Sequence, residues 1–373
     1  MKKIAIEKSI PYTKGLLDDK FDVRYLDDFD FKRENISDCD SIIVRSTTRC
    51  DETLLRNTNV RFISTATAGF DHIDTDYCRD NNIFWNNAEG CNKRSVAQYV
   101  VSALALVLGC DIRKYNDLTL GIVGVGNTGG ALLNLVKNIG FKTLLCDPIK
   151  SCYVEDFTYN SLEYVFENSD IITFHVPLVT SSSYPTYHMI NRNLLKRYAK
   201  GKILINACRG SVMCTDDVIE AYNNGIISNI VVDCWENEPS INTSLLKIAD
   251  IATPHIAGFS ADSKRNATIM ACNNVCDFEN LSQIHNDAIK LDEPKNKIID
   301  FSSDGIPKEQ QVLNAILRTT NLDSLTTDLK EHPSDFKFIR SSYVKPREFE
   351  AYTVIGADDS NFNVLKNIGF NVV

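Results

Sequence analysis

The six residues Gly124-Val125-Gly126-Asn127-Thr128-Gly129 follow the apolar run Leu118–Val123 directly and open a stretch that reads as a helix. Few local patterns constrain a chain so tightly. Gly124 permits a tight strand-to-helix turn, Gly126 lets the backbone approach a pyrophosphate, and Gly129 lets the helix pack close to the strand. The N–H groups that the first helical turn leaves unpaired then face the anion. Downstream, a helix from Ala131 to Ile139 closes at Gly140, and a second strand, Lys142–Cys146, ends at Asp147, eighteen positions beyond the last glycine. A carboxylate there suits the ribose hydroxyls of a dinucleotide and repels a 2′-phosphate, which points to NAD as cofactor. Lys150 leaves NADP as the minor alternative.

Strand-like runs recur at Ile171–Phe174, Lys202–Asn206, Asn229–Asp233 and Ile251–Ala252, bringing the total to six. Six such runs fit a doubly wound parallel sheet in the order 3-2-1-4-5-6, with ligands bound outside the carboxyl ends of the strands. About 120 residues come before this unit, and they are themselves α/β in pattern: Ile4–Ile6, Val23–Tyr25, Ser41–Arg45 and Arg61–Thr65 alternate with polar, helix-compatible segments. A long helix from Asn92 to Leu108, with Asn92 as a candidate N-cap, bridges the two. A second long helix, Ala261 to Asn280, returns toward the first unit. The polar stretch Asp292–Lys297 reads as a linker to a third unit. That unit ends in strand (Ala351–Ile355), helix (Ser360–Ile368) and strand (Gly369–Val373), and it carries no motif for chemistry.

A chain of 373 residues with 43% hydrophobic content supports two or three buried cores. Net charge −9 and pI 5.3 argue against a general nucleic-acid surface, so an anionic substrate must be met by a local basic pocket. Twelve cysteines without a CxxC pair, and no secretory signal, lead to the expectation of reduced thiols in the cytoplasm. Cys272 and Cys276, one helical turn apart, do not amount to a metal site. The most apolar stretch, Tyr99 to Leu108, is shorter than the ~20 residues that a bilayer span requires.

Chemistry is concentrated after the last three strands. Asn206-Ala207-Cys208-Arg209-Gly210 follows the fourth, Asp233-Cys234-Trp235-Glu236-Asn237-Glu238-Pro239 the fifth, and Thr253-Pro254-His255-Ile256-Ala257-Gly258 the sixth. A capping arginine, a surface glutamate and a structural histidine are each commoner than a catalytic residue. Three successive strand ends beside a nucleotide crevice reverse those odds. The planar fork of Arg209 suits a carboxylate, His255 can take a hydroxyl proton as hydride leaves carbon, and Glu238 can orient the ring and stabilise imidazolium. Cys208 is not needed as a nucleophile.

These motifs, with Val44-Arg45-Ser46, Thr65-Ala66-Thr67-Ala68-Gly69, Gly90-Cys91-Asn92 and Leu144-Leu145-Cys146-Asp147-Pro148, resemble the D-isomer-specific 2-hydroxyacid dehydrogenases, and the likeness to one branch of them runs almost end to end. The resemblance implies two doubly wound α/β domains, the nucleotide domain (93–256) inserted within a substrate domain (1–92 and 257–283). A small α+β dimerisation domain (284–373) follows, as in the branch that oxidises 4-phospho-D-erythronate at C2 during pyridoxine phosphate synthesis. It further implies Arg209, Glu238 and His255 as catalytic residues. The implied NAD contacts are Gly124, Gly126, Asn127, Thr128, Gly129, Asp147, Val176, Ala207, Cys208, Asp233 and Gly258. Substrate contacts fall on Ser46, Thr67 and Phe259, with Arg45 a weaker candidate for the phosphate. Phe259 stands where the family often carries tyrosine, Val176 where it has a small polar residue, and Gln98 where glutamate is frequent. The implied partners are a small phosphorylated hydroxy acid and a second copy of the chain, not a nucleic acid or a membrane. Two alternatives stay open: a dehydrogenase of glycerate or phosphoglycerate, and a non-catalytic regulatory protein that responds to NAD.

Overall fold

The computed structural model describes residues 1–152, 158–303 and 305–373. The chain divides into two compact units, Met1–Asn92 with Ala261–Asp292, and Lys93–Ser260 with Glu293–Val373. Among the described residues no helix is long and apolar enough to cross a membrane.

In the first unit, β1 (Lys3–Glu7), β2 (Asp22–Leu26), β3 (Ser41–Val44), β4 (Phe62–Thr65) and β5 (Phe84–Asn87) form one parallel sheet in the order β2-β1-β3-β4-β5. Every residue of β3 and β4 is buried, as a parallel sheet covered on both faces requires. Alternation along each strand divides the side chains between two cores. Ile4, Ile6, Ile43 and Phe62 meet Ala271, Cys272, Val275 and Cys276 of the helix Ala261–Phe278, while Ala5, Ile42, Val44 and Ile63 face Leu54, Leu55, Ile73 and Cys78. The residues Phe-Trp-Asn-Asn of β5 are too polar to announce a strand, and this strand closes the sheet at an edge.

In the second unit, β6 (Thr119–Val123), β7 (Lys142–Cys146), β8 (Ile171–Phe174), β9 (Lys202–Asn206), β10 (Ile227–Val232) and β11 (Ile251–Ala252) are again all parallel. Their order is β7-β6-β8-β9-β10-β11. This corrects the expected 3-2-1-4-5-6: the third of these strands, β8, lies beside the first and not outside the second. The reason lies in its burial. Ile171–Phe174 is buried at every residue and gains partners on both sides from β6 and β9, whereas β7 is half-exposed and, among the described residues, pairs with β6 alone. The strand order therefore reverses between β6 and β8, the position where such sheets take their ligands.

The C-terminal part adds β12 (Ile298–Asp300), β13 (Thr353–Ile355) and β14 (Asn371–Val372) in the order β12-β13-β14. The expected α+β character of this tail resolves into strands that are parallel throughout, joined through helices such as Lys308–Leu317 and Asp359–Ile368. β12 falls at the end of the polar linker, where its short run Ile-Ile-Asp gave no strand signal. The tail also ties down the end of the larger sheet. Thr326 Oγ1 accepts from Ala252 N (3.1 Å), Lys330 Nζ donates to Ala249 O (2.6 Å) and Ser260 Oγ donates to Glu348 Oε1 (3.0 Å).

At the carboxyl end of β1, the fully buried Glu7 carboxylate accepts from Ser9 Oγ (2.6 Å), Arg45 N (2.8 Å), Thr47 Oγ1 (2.9 Å) and Thr48 Oγ1 (3.0 Å). Burial alone would push this carboxyl up, but the four donors outweigh it and hold its pKa below the ordinary value. The loop after β3 is thus shaped around one charge. Glu7→Gln is expected to lower the stability of the first unit by about 2–4 kcal/mol at neutral pH, read by urea denaturation. Because the folded pKa is depressed, that difference should be complete above the usual carboxyl range near ~4.3 and shrink as pH falls through the lowered value. An equal deficit at both ends of the pH range would show that charge is not what holds the loop.

Candidate active site

The nucleotide loop has the shape its sequence promised. Gly124 adopts φ +87°, and a Cβ there would stand 2.6 Å from the His175 carbonyl oxygen and 2.8 Å from Val176 Cγ1. A Cβ at Gly129 would overlap the Gly124 carbonyl oxygen, whereas one at Gly126 would meet nothing within 4 Å. So Gly124 and Gly129 permit close packing, and Gly126 presents bare backbone to open space. The helix Asn127–Ile139 begins at Gly126 without a side-chain cap. Asp147 accepts from Val125 N (2.8 Å) and Lys150 N (2.9 Å), while Lys150 Nζ donates to Val125 O (2.6 Å). A carboxylate at the end of β7, an open glycine and a helix N-terminus beside the β6/β8 switch point suit NAD. Lys150 spends its ammonium on the loop itself. Val176 follows β8 and packs on Gly124, which gives this residue its place at the loop.

Arg209, Glu238 and His255 emerge, as expected, just past β9, β10 and β11. His255 Nδ1 lies 2.8 Å from Glu238 Oε2, and Glu238 Oε1 accepts from Trp235 N (2.8 Å). Burial pushes the Glu238 carboxyl up, but the hydrogen bond and charge of His255, helped by Trp235 N and the charge of Arg340, hold it below the ordinary value. It is therefore an anion at neutral pH, aimed at the ring. Arg209 Nη1 donates to Cys208 O (2.8 Å), and Asn206 Nδ2 donates to Arg209 O (2.9 Å). Burial pushes the Cys208 thiol up to about 11, which leaves it protonated and a poor nucleophile.

Asp233, expected from the sequence as a cofactor contact, and several residues that the sequence does not single out hold this set in place. His255 has φ +56°, a left-handed conformation that a non-glycine residue keeps only when its surroundings impose it. Asp233 imposes it. Its carbonyl accepts from His255 N (2.9 Å), Oδ1 accepts from Ile256 N (2.7 Å) and Thr253 Oγ1 (2.7 Å), and Oδ2 accepts from Ala257 N (3.0 Å). Thr253 in turn pairs with Tyr99 OH at 2.7 Å, and Ser95 Oγ donates to Ala257 O (2.8 Å), so the helix Lys93–Leu108 fastens the same loop. Trp235 Nε1 donates to Thr253 O (2.9 Å). A second carboxylate–imidazole pair, Glu236 Oε1 with His188 Nε2 at 2.7 Å, clamps the neighbouring segment, and Glu236 Oε2 also accepts from Thr215 N (3.0 Å). A Cβ on Gly210 would overlap the Trp235 carbonyl, so the Arg209 turn lies directly on the backbone that leads to Glu238. Gly210 and Thr253 carried a signal in their motifs; the buried Tyr99 and Ser95 carried none.

In the first unit, Arg45, Ser46 and Thr67 also sit beyond strand ends, after β3 and β4. Ser46 is exposed in a turn, and Arg45 Nη1 donates to Ser9 O (3.2 Å). Thr67 Oγ1 donates to Gly69 O (2.7 Å) and lies 2.7 Å from Thr65 Oγ1, which is 3.0 Å from His72 Nε2. With its hydrogen committed to Gly69, Thr67 accepts from Thr65, which accepts from His72 Nε2–H. Burial, which lowers the His72 pKa, agrees with that neutral ring. Toward a ligand, Thr67 is left as an acceptor, suited to a substrate hydroxyl.

An inserted dinucleotide fold with a carboxylate–histidine pair at its strand ends is what an NAD-dependent dehydrogenase of 2-hydroxy acids requires. Residues 108–257 match the family described as D-isomer specific 2-hydroxyacid dehydrogenase, NAD binding domain. Among solved structures, D-lactate dehydrogenase from Aquifex aeolicus, complexed with NAD and lactic acid, superposes with TM-score 0.63 at 25% identity, over 74% of this chain and 95% of that one. The NAD+-bound 3-phosphoglycerate dehydrogenase of Entamoeba histolytica gives TM-score 0.62 at 24% identity, over 75% of this chain and 95% of that one, and shows the fold alone. Relatives named erythronate-4-phosphate dehydrogenase match much further along the chain. That of Porphyromonas gingivalis is 41% identical over 99% of both chains, and that of Proteus mirabilis 34% identical over 99% of both. The chain belongs to the erythronate-4-phosphate dehydrogenase family, a branch of the D-isomer specific 2-hydroxyacid dehydrogenases.

Gly210→Ala should push the Arg209 turn away from Trp235 and lower kcat/KM by about 10²-fold, while NAD affinity, followed by fluorescence titration, changes much less. Full activity in this variant would mean that the close approach has no bearing on the chemistry.

Proposed function

We propose that this chain oxidises 4-phospho-D-erythronate at C2 to (R)-3-hydroxy-2-oxo-4-phosphooxybutanoate, a step of pyridoxine 5′-phosphate synthesis. NAD, when bound, supplies the acceptor for the C2 hydride. Gly126 leaves its pyrophosphate room at the helix N-terminus, Gly124 and Gly129 allow the close packing that shapes the loop, and Asp147 offers a carboxylate to the ribose. Arg209 holds the substrate carboxylate in its planar fork. His255 is tied to Glu238 through Nδ1, so Nε2 is the nitrogen that takes the C2 hydroxyl proton as the carbonyl forms. Glu238 fixes the ring and balances the imidazolium charge. Ser46 and Thr67 serve the substrate hydroxyls, and Ala207, Cys208, Asp233 and Gly258 line the cofactor.

The observation that carries this reading is the 2.8 Å His255–Glu238 pair at the carboxyl end of the dinucleotide sheet. The particular acid is supported by relatives of that name that match nearly the whole chain, whereas the lactate enzyme matches three quarters of it. We divide the chain into a substrate domain (1–92 and 257–283), a nucleotide domain (93–256) and a dimerisation domain (284–373). In support of the last, Ile298, Phe338 and Val344 expose large apolar surface there. Sedimentation equilibrium should give about twice the 41.9 kDa chain mass, and a monomer at micromolar concentration would remove the dimer from the reading. All twelve cysteines are unpaired, in keeping with a reducing cytoplasm.

Purified protein, supplied with NAD and a 2-oxo acid as possible electron acceptor, should turn over 4-phospho-D-erythronate in preference to glycerate or phosphoglycerate. His255→Asn should keep NAD binding and lose ~10²–10⁴-fold in turnover. Undiminished turnover would remove His255 as the base, and activity on glycerate alone would move the chain to another acid.

A further inference from the structure

Arg340 lies on the helix Phe336–Ser342 of the C-terminal part, a stretch whose sequence carries no catalytic motif. Its guanidinium carbon stands 5.1 Å from the centroid of the Phe259 ring, one residue past Gly258 on the loop that carries His255. Arginine stacks readily on aromatic faces, which fixes the plane of its fork. Arg340 Nε is buried and has no hydrogen-bond partner, and the guanidinium makes no hydrogen bond or ion pair within the described protein. Its charge nevertheless reaches the site, since it is among the groups that hold down the Glu238 carboxyl after burial has pushed it up.

An arginine carries five N–H donors and no acceptor, and buried donors in native proteins are almost always satisfied. A positive fork that is stacked, half-buried and unpaired is therefore a seat for an anion that arrives with the ligand. The other arginines of the proposed site differ. Arg209 and Arg45 each donate a guanidinium N–H to a backbone carbonyl close by. The loop beneath Arg340 is also held from the C-terminal side, through Ser260 Oγ to Glu348 Oε1 at 3.0 Å, so the fork and the His255 loop share one support.

We propose that Arg340 is the phosphate-recognising residue, which uses its stacked guanidinium to bind the terminal phosphoryl group of the hydroxy acid and so selects phosphorylated over unphosphorylated substrates. This rests on the reading that the substrate is a phosphorylated 2-hydroxy acid. The C-terminal part then contributes to specificity as well as to architecture. Phe259 supplies the face on which the arginine lies, and a tyrosine would offer a similar face there.

The test uses the full-length enzyme with Arg340→Met and Arg340→Lys, each first shown to keep the wild-type melting temperature within a few degrees. The kcat/KM ratio for 4-phospho-D-erythronate over D-erythronate should fall about 10²-fold in Arg340→Met, through KM for the phosphorylated acid, and by less in Arg340→Lys, which keeps charge without the fork. An unchanged ratio would overturn the assignment, as would equal losses on both acids, because those would mark an arginine acting through Glu238 or the fold. Calorimetric titration with inorganic phosphate gives a readout that does not depend on turnover. Binding that weakens at least tenfold in Arg340→Met supports the seat, and equal binding in both proteins refutes it. If the wild type turned over no phosphorylated acid, the functional reading would fall, and the phosphate titration would still decide for or against Arg340.

Discussion

The site depends on one buried carboxylate. Asp233, at the end of β10, is 1% exposed and gathers Thr253, Ile256 and Ala257 onto its two oxygens while its carbonyl takes His255 N. Desolvation raises its pKa, and the charge of His255 and the surrounding donors oppose that rise. The contacts hold His255 in a left-handed conformation that few non-glycine residues adopt, and this turns the imidazole toward Glu238. Strain at the histidine is thus balanced by hydrogen bonds made one strand away.

The parallel sheet explains why so few groups suffice. In both units every strand runs the same way, so the loops that carry chemistry leave from one edge. The order reverses between β6 and β8, and between β1 and β3 in the first unit, and the two reversals bring Gly124 beside Val176 and Glu7 beside the Arg45 loop. Close packing completes the arrangement. Gly210 lies against Trp235 with no room for a methyl group, so the Arg209 turn and the Glu238 loop behave as one piece.

The C-terminal part has a larger place here than its bland sequence suggests. Thr326, Lys330 and Glu348 each bond to the last strand of the dinucleotide sheet or to a segment that flanks it. With Arg340 stacked on Phe259, this part supports the loop from which the proposed base projects. Under the proposal for Arg340, this one stretch of chain links architecture to substrate choice.

The sequence by itself determined the glycine loop, the strands that flank it, and the arginine, glutamate and histidine past three strand ends. These follow from local rules, since a tight turn needs glycine and a buried parallel strand needs an unbroken apolar run. Tertiary structure decided the rest. The short strands β5 and β12 are too polar or too brief to announce themselves, and the place of β8 was set by its need for two partners. Tyr99 and Ser95 look like ordinary core residues until folding sets them against one loop. Arg340 is about eighty residues from Phe259 in sequence, so no spacing rule could pair them. Local propensity is written along the chain, whereas the pairing of distant polar groups exists only once the backbone has brought them together.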